Sequence, residues 1–392
     1  MRSDRWLHRP VWLIALSAFT ADLGYQAVLA VFPLFLVLDL KQPVVLFGVA
    51  TAVAYGPGAL VGYVGGRVGD RVGRKKAAVW GNAFIPLLSL VGLVGSTWES
   101  IALLALGWWA RNFRSGPRRA MLTEVVAPKD QGKAFGFLHA LDIGGGTLAA
   151  VLAFVLLLSG AGFRLILLLT LIPLVASTIF LLPVRAGLRP VRSETPTPRP
   201  VASSADLSVY RGMLVATALY GFSSYSAGFP ILTIARSAHS SALGVLGYVI
   251  FLGVSAGTGL LAGKMVGDRV SHLALWGYLA GAVGSAWFVA SVLLGGGDVG
   301  MYIGMAILGW GLGFVETLEP TIIAQLAPAD KTSGGMGSLT AARSAGLFLA
   351  NIILGLLYHF GPAYAYGYAT VLAAAGCVVL LGVGKRARLA VR

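Results

Sequence analysis

The chain has 392 residues, of which 57% are apolar and only 11% charged. Soluble globular proteins carry roughly 25% charged residues, so a water-soluble fold and a disordered chain are set aside. The single cysteine, Cys377, leaves no internal disulfide to form. A net charge of +15 would suggest nucleic acid in a soluble protein; here its meaning depends on where the charges fall relative to the apolar runs.

A helix needs about 20 mostly apolar residues to cross about 30 Å of hydrocarbon. Runs of that kind fall at 11–36, 44–65, 78–97, 101–126, 134–158 and 164–182, then at 209–234, 242–263, 273–294, 301–326, 335–359 and 363–383. The expected fold is an all-α integral membrane protein of twelve transmembrane helices. Arg2, Arg5 and Arg9 precede the first run, which is too long for a cleaved leader and lacks a small-residue cleavage site, so it reads as an uncleaved span. With the N-terminus inside, cytoplasmic segments together with the cytoplasmic ends of the spans hold 24 of the 30 Lys and Arg. External loops hold only Lys41, Arg164 and Arg236, and Arg111, Arg114 and Arg343 lie within spans. The positive-inside rule therefore places both termini in the cytoplasm. It also accounts for most of the charge, so no nucleic-acid partner is needed to explain it.

Residues 183–207 break the apolar texture with five prolines and four arginines among Ser and Thr, as a polar cytoplasmic linker does. The chain then divides into a six-helix bundle at 1–182, the linker at 183–207 and a second six-helix bundle at 208–392. The two bundles repeat each other. Gly-Asp-Arg-Val after the second span recurs after the eighth, Leu106-Gly107-Trp108 matches Leu308-Gly309-Trp310, and Ala127-Pro128-Lys129-Asp130 matches Ala327-Pro328-Ala329-Asp330. Three fragments in order near one offset mark a duplication, and duplicated halves are characteristic of secondary transporters with a site near the bilayer midplane.

The loop GRVGDRVGRKK at 66–76 carries Gly66, Asp70, Arg71, Gly73, Arg74, Lys75 and Lys76. It resembles the signature loop of the major facilitator superfamily. The twelve spans, the central linker and the degenerate second copy with Asp268 and Arg269 agree with that resemblance. It implies two pseudo-symmetric bundles that transport by alternating access. It also implies that Asp70 contacts the start of span 11 at Ser333-Gly334-Gly335, where free amides favour an anion, and that Asp268 does the same near Gln131-Gly132. Gly66 and Gly73 would permit a tight turn and close backbone approach. A narrower likeness, to a twelve-span prokaryotic branch near the drug–proton antiporters, rests on Asp22-Leu23-Gly24-Tyr25-Gln26, on Arg111 to Ala120 and on Gly132 to Asp142. Gln26, Arg119 and His139 depart from its pattern.

A charge at mid-bilayer costs several kcal/mol unless paired or hydrated, so charges within spans carry the information on mechanism. Asp22 lies in span 1, Arg111, Arg114 and Arg118 form a stripe on span 4, and Glu316 and Glu319 form one on span 10. Span 7 offers Tyr220 and Tyr225. Asp142 in span 5 and Arg343 in span 11 occupy equivalent places in the repeat, and the expectation is that they pair across the interface and switch partners as the bundles rock. Together with Tyr25 and Gln26 these residues form the candidate substrate and proton pathway, with Asp22 as the first choice of proton carrier.

The sequence contains no His-Glu-x-x-His, no phosphate-loop pattern and no Ser/His pair near a Gly-x-Ser-x-Gly, so neither an intramembrane enzyme nor an ATP-driven pump is indicated. A non-transporting membrane sensor would carry an added soluble domain, and none is visible. The expected function is proton-coupled efflux of a small organic solute, with proton-symport uptake or anion exchange as alternatives. No cofactor or metal is expected, only a proton gradient, a small-molecule substrate and the lipid bilayer, with the chain acting as a monomer. The excess of Arg over Lys points to a prokaryotic cytoplasmic membrane.

Overall fold

The computed structural model describes residues 6–127, 130–184, 204–265, 268–326 and 332–391, with side chains described except at 204–208, 323–326, 332–341 and 386–391. Most of the polar linker, the arginines before Arg9 and the second Ala-Pro-x-Asp loop lie outside the described residues. Within them the backbone is helical, with no strand, as a lipid solvent requires: each segment must satisfy its own N–H and C=O groups. Twelve spans result. They are α1 (Arg9–Asp39), α2 (Val44–Val72), α3 (Arg74–Leu93), α4 (Thr97–Val125), α5 (Gln131–Leu158) and α6 (Phe163–Leu181). After the linker come α7, broken into Ser204–Ser223 and Gly228–Ser237, then α8 (Ser241–Lys264), α9 (Arg269–Leu294), α10 (Gly297–Leu326), α11 (Thr332–Phe360) and α12 (Pro362–Val391).

Ten of these are long and apolar enough to cross a membrane on those grounds alone. The other two are α4, loaded with Arg111, Arg114, Arg118 and Arg119, and the interrupted α7. Prolines mark other irregular places. Pro86 opens the tightened second half of α3, and Pro173 follows a break in α6 at Thr170.

The chain separates into two compact units: residues 1–42 with 57–193, and residues 43–56 with 194–392. Helix α2 changes unit at Gly56–Pro57. In the first unit α1 packs on α5 and α6, and α3 on α4; in the second, α7 packs on α11 and α12, and α9 on α10. Each pair in one unit is thus the repeat equivalent of a pair in the other. The contacts of α2 with α4 and of α8 with α10 are also equivalent, and both use glycine. A Cβ at Gly65 would strike the Phe113 carbonyl oxygen, and one at Gly313 would strike the Ser255 carbonyl oxygen. Without a hydrophobic force between helices in lipid, such close approach is what holds them.

The distribution of side chains is inverted relative to a soluble protein. Leu60, Ile172 and Leu294 are exposed at 71%, 69% and 84%, whereas Asp22, Arg114, Arg118 and Glu319 are buried. The apolar shell continues along α5 and α6 through Leu152, Val155, Leu158, Leu165 and Ile179. An exposed apolar surface of that extent is at home only in lipid.

Candidate functional site

In the first unit, Asp22 and Tyr25 stand three residues apart on one face of α1. The Tyr25 hydroxyl donates to Asp22 Oδ1 and accepts from Arg111 Nη2 at 3.2 Å. The Arg111 guanidinium lies 5.1 Å from the centre of the Tyr25 ring and 5.0 Å from that of Trp108, and its Nη1 donates to Asn112 Oδ1. Weakly hydrated, planar and charged, a guanidinium suits such an aromatic setting.

The other two arginines of the stripe have different partners. Arg118 Nη2 donates to Asp142 Oδ2 on α5 at 3.2 Å. Arg114, 1% exposed, has no carboxylate within ion-pair distance among the described residues. Its Nη1 donates to Asn82 Oδ1 on α3 at 2.6 Å. The Asn82 amide donates in turn to Ser177 and Thr178 on α6, and Ser177 Oγ donates to the Ser17 carbonyl oxygen on α1. Gly145 abuts the backbone of Phe19, and Gly146 abuts the Gln26 side chain, so α1 and α5 approach closely beside Asp22. Eight buried side-chain nitrogen and oxygen atoms lack a hydrogen-bond partner among the described residues, and six of them belong to this cluster. It is assembled but not fully satisfied, unlike most buried polar groups.

In the second unit, Arg343 on α11 reaches two carboxylates of α10. Its Nη1 donates to Glu316 Oε1 at 2.5 Å and its Nη2 to Glu319 Oε2. Glu319 is fully buried and accepts a further bond from the Tyr278 hydroxyl at 2.5 Å. Tyr278 also contacts Thr217 Oγ1, and Tyr220 stacks on its ring at 4.2 Å. Arg343 and Asp142 each find a counter-charge within their own unit. Asp142 is held by Arg118, and Arg343 by Glu316 and Glu319. Arg118 and Asp142 each have their repeat equivalent 201 residues on, at Glu319 and Arg343. The same ion pair joins the fourth and fifth helices of both units, with its signs exchanged.

Tyr225 stands apart from that pair, with its hydroxyl on Ser285 Oγ at 3.1 Å. It lies in the break of α7, where the hydroxyls of Ser223 and Ser224 both turn back onto the Tyr220 carbonyl oxygen. Such back-bonding competes with the helix ladder. Asn351 Oδ1 takes up the freed Ser226 N–H at 3.0 Å and also the Thr51 hydroxyl.

The signature loop is local in its contacts. Asp70, with a side chain 72% exposed, faces Arg74 at 3.8 Å, and Arg74 donates to Glu124 on α4 at 2.9 Å. Lys75 Nζ donates to the Leu182 carbonyl oxygen, and Arg71 is exposed. The segment expected to receive Asp70, at 333–335, lies where side chains are outside the described residues. Asp268 caps the N-terminus of α9, accepting from the backbone N–H of Ser271 at 3.1 Å and from its hydroxyl, immediately before Arg269. Of the two glycines expected to make the turn, only Gly73 does so, at φ 102°. Gly66 lies inside α2, and a Cβ there would meet open space.

Asn82, Ser177, Tyr278, Thr217 and Asn351 were not among the expected site residues. Their one sequence signal is that each is a polar group inside an apolar run. His139, a departure from the branch pattern, is exposed on α5. Among the described residues no group of three His, Cys, Asp or Glu is placed to hold a metal ion.

Residues 14–302 match the sequence model of the Major Facilitator Superfamily. Among curated proteins none matches this chain. Among solved structures, a D-xylose–proton symporter superposes with a TM-score of 0.75 at 13% identity, covering 94% of this chain and 97% of its own. A mutant of the nucleoside transporter NupG gives 0.73 at 14%, covering 96% and 99%. A mutant of the peptide transporter POT gives 0.71 at 15%, covering 97% and 95%. At these identities the likeness concerns the fold.

Proposed function

The chain belongs to the major facilitator superfamily, a multi-pass membrane protein moving a small molecule by alternating access without enzymatic chemistry, and on that premise we propose that it couples proton movement to the export of a small organic anion or zwitterion. Both termini face the cytoplasm of a prokaryotic cell, and the chain works as a monomer in the inner membrane with no nucleic-acid partner. The observation that carries the reading is the buried cluster of Asp22, Tyr25, Arg111, Arg118 and Asp142, which unites an acid able to bind a proton with arginines able to hold an anion. Arg111 and Arg118 are the anion ligands, and Asp22 is the proton carrier, with Asp142 and Glu316 behind it. Burial favours the neutral carboxyl and a neighbouring arginine favours the charged one, so any change in their separation moves the proton. Asp70, Arg74 and Glu124 belong to the cytoplasmic gate.

Export follows the likeness to the branch near the antiporters. One observation favours co-transport instead. Three arginines against two aspartates leave the first-unit cluster with one excess positive charge, and a proton on an aspartate increases it. Proton and anion then bind better together than apart, and that linkage is reciprocal. Two glutamates against Arg343 leave the second-unit cluster with an excess negative charge.

The test is flux in proteoliposomes with radiolabelled carboxylates and amino acids across an imposed pH step. The wild type responds to the step; Asp22→Asn loses the response and keeps solute counterflow. Unchanged pH-driven flux in Asp22→Asn removes it as carrier. The sign of the wild-type response separates export from co-transport.

A further inference from the structure

We infer that Asp22 and Asp142 form one proton-binding site, a carboxyl–carboxylate pair that shares a single proton between Asp22 Oδ2 and Asp142 Oδ1. The inference rests on the proton-coupled reading and replaces a lone carrier with a pair drawn from two helices.

The argument is one of donors and acceptors. Asp22 Oδ1 is occupied by the Tyr25 hydroxyl and Asp142 Oδ2 by Arg118. The two remaining oxygens, Asp22 Oδ2 and Asp142 Oδ1, are both buried and both without a donor among the described residues. Asp22 itself is only 5% exposed. Gly145 and Gly146, one turn beyond Asp142 on α5, abut α1 at Phe19 and Gln26, on either side of Asp22, so the two helices that carry these carboxyl groups approach closely there. Ionised carboxylates are acceptors only, so two such oxygens can bond only through a proton. Two carboxylates sharing a site do not both ionise.

The groups around the pair agree. From α4, Arg111 is directed to Tyr25 and Asn112, Arg114 to Asn82, and Arg118 to Asp142. None of these bonds ends on Asp22. From α3 and α6 the nearby polar groups are Asn82 and Ser177, and neither titrates. The second unit provides a contrast: there both acids, Glu316 and Glu319, are held by the one base Arg343. Arg118 is a positioning residue. It fixes one oxygen of Asp142 and so presents the other to Asp22.

Infrared difference spectroscopy of the full chain in lipid reads the site without needing the solute. The wild type at neutral pH is expected to show a protonated-carboxyl C=O band. ¹³C-aspartate labelling shifts the band and ¹³C-glutamate labelling does not. Asp22→Asn and Asp142→Asn each remove it. A band that persists unchanged in Asp142→Asn assigns the proton to Asp22 alone and overturns the pair. So does a wild type whose protonated carboxyl shifts only with ¹³C-glutamate, or one with no such band. The labelling arm needs no variant to fold. A wild type with the aspartate band but no pH-driven flux refutes the coupling reading and keeps the pair, whereas pH-driven flux without the band does the reverse.

Discussion

Arg118 on α4 and Asp142 on α5 form an ion pair at 3.2 Å whose repeat equivalents, Glu319 and Arg343, form the same pair with the charges exchanged. Duplication preserved the electrostatic link between the fourth and fifth helices while reversing its sign. Stability depends on that complementarity rather than on which helix bears the base.

Arg118→Glu and Asp142→Arg, made singly, each place like charges together in a buried setting. Breaking a buried pair costs about 3–5 kcal/mol. The double variant Arg118→Glu/Asp142→Arg reproduces the arrangement of the second unit and is expected to regain most of that loss. Thermal denaturation of the purified protein in detergent checks this; a double variant no more stable than the worse single one refutes the equivalence.

Arg343 serves two glutamates of unequal burial. Glu319 is fully buried and Glu316 is half exposed. Arg343→Gln leaves the Glu319 carboxylate buried with only Tyr278 as donor, at an expected cost of about 3–5 kcal/mol. Glu316→Gln removes a solvent-screened partner and costs under about 1 kcal/mol. The same denaturation assay is decisive through the order of the two melting temperatures.

The signature loop separates folding from gating. Gly73→Ala puts a Cβ at φ 102° and is expected to destabilise by about 1–2 kcal/mol. Gly66→Ala is expected to be neutral or stabilising, since the position is helical and open. Asp70→Asn loses only an exposed pair with Arg74 and keeps normal membrane insertion and stability, but transports more slowly. Quantified membrane expression beside proteoliposome flux distinguishes these outcomes. Normal flux in well-inserted Asp70→Asn removes it from the gate.

The helices were legible because each run of about 20 apolar residues must cross lipid with its own backbone bonds closed. The same runs located α4 and α7 at 101–126 and 209–234, although the arginines of α4 and the break in α7 keep both from qualifying by length and hydropathy alone. Asp22, Arg114, Arg118 and Glu319 were legible as functional candidates because a mid-membrane charge is too costly to be incidental. All four are buried.

The partners of those charges were not legible. The stripe of three arginines looked uniform along one helix face, yet Arg111 turns to Tyr25, Arg114 to Asn82 and Arg118 to Asp142. Aligned depth singled out Asp142 and Arg343 as a matched acid and base, but not Arg118, Glu316 and Glu319 as the groups that hold them within their own units. Ser17 and Ser177 lie 160 residues apart and touch. A sequence records which residue carries a charge and at what depth, because both follow from local composition and the thickness of the membrane. Which group neutralises it depends on helix rotation and on approach distances of a few ångströms. Those are set by small residues such as Gly65, Gly145 and Gly313 meeting a neighbouring backbone, and only the folded chain brings the two surfaces together.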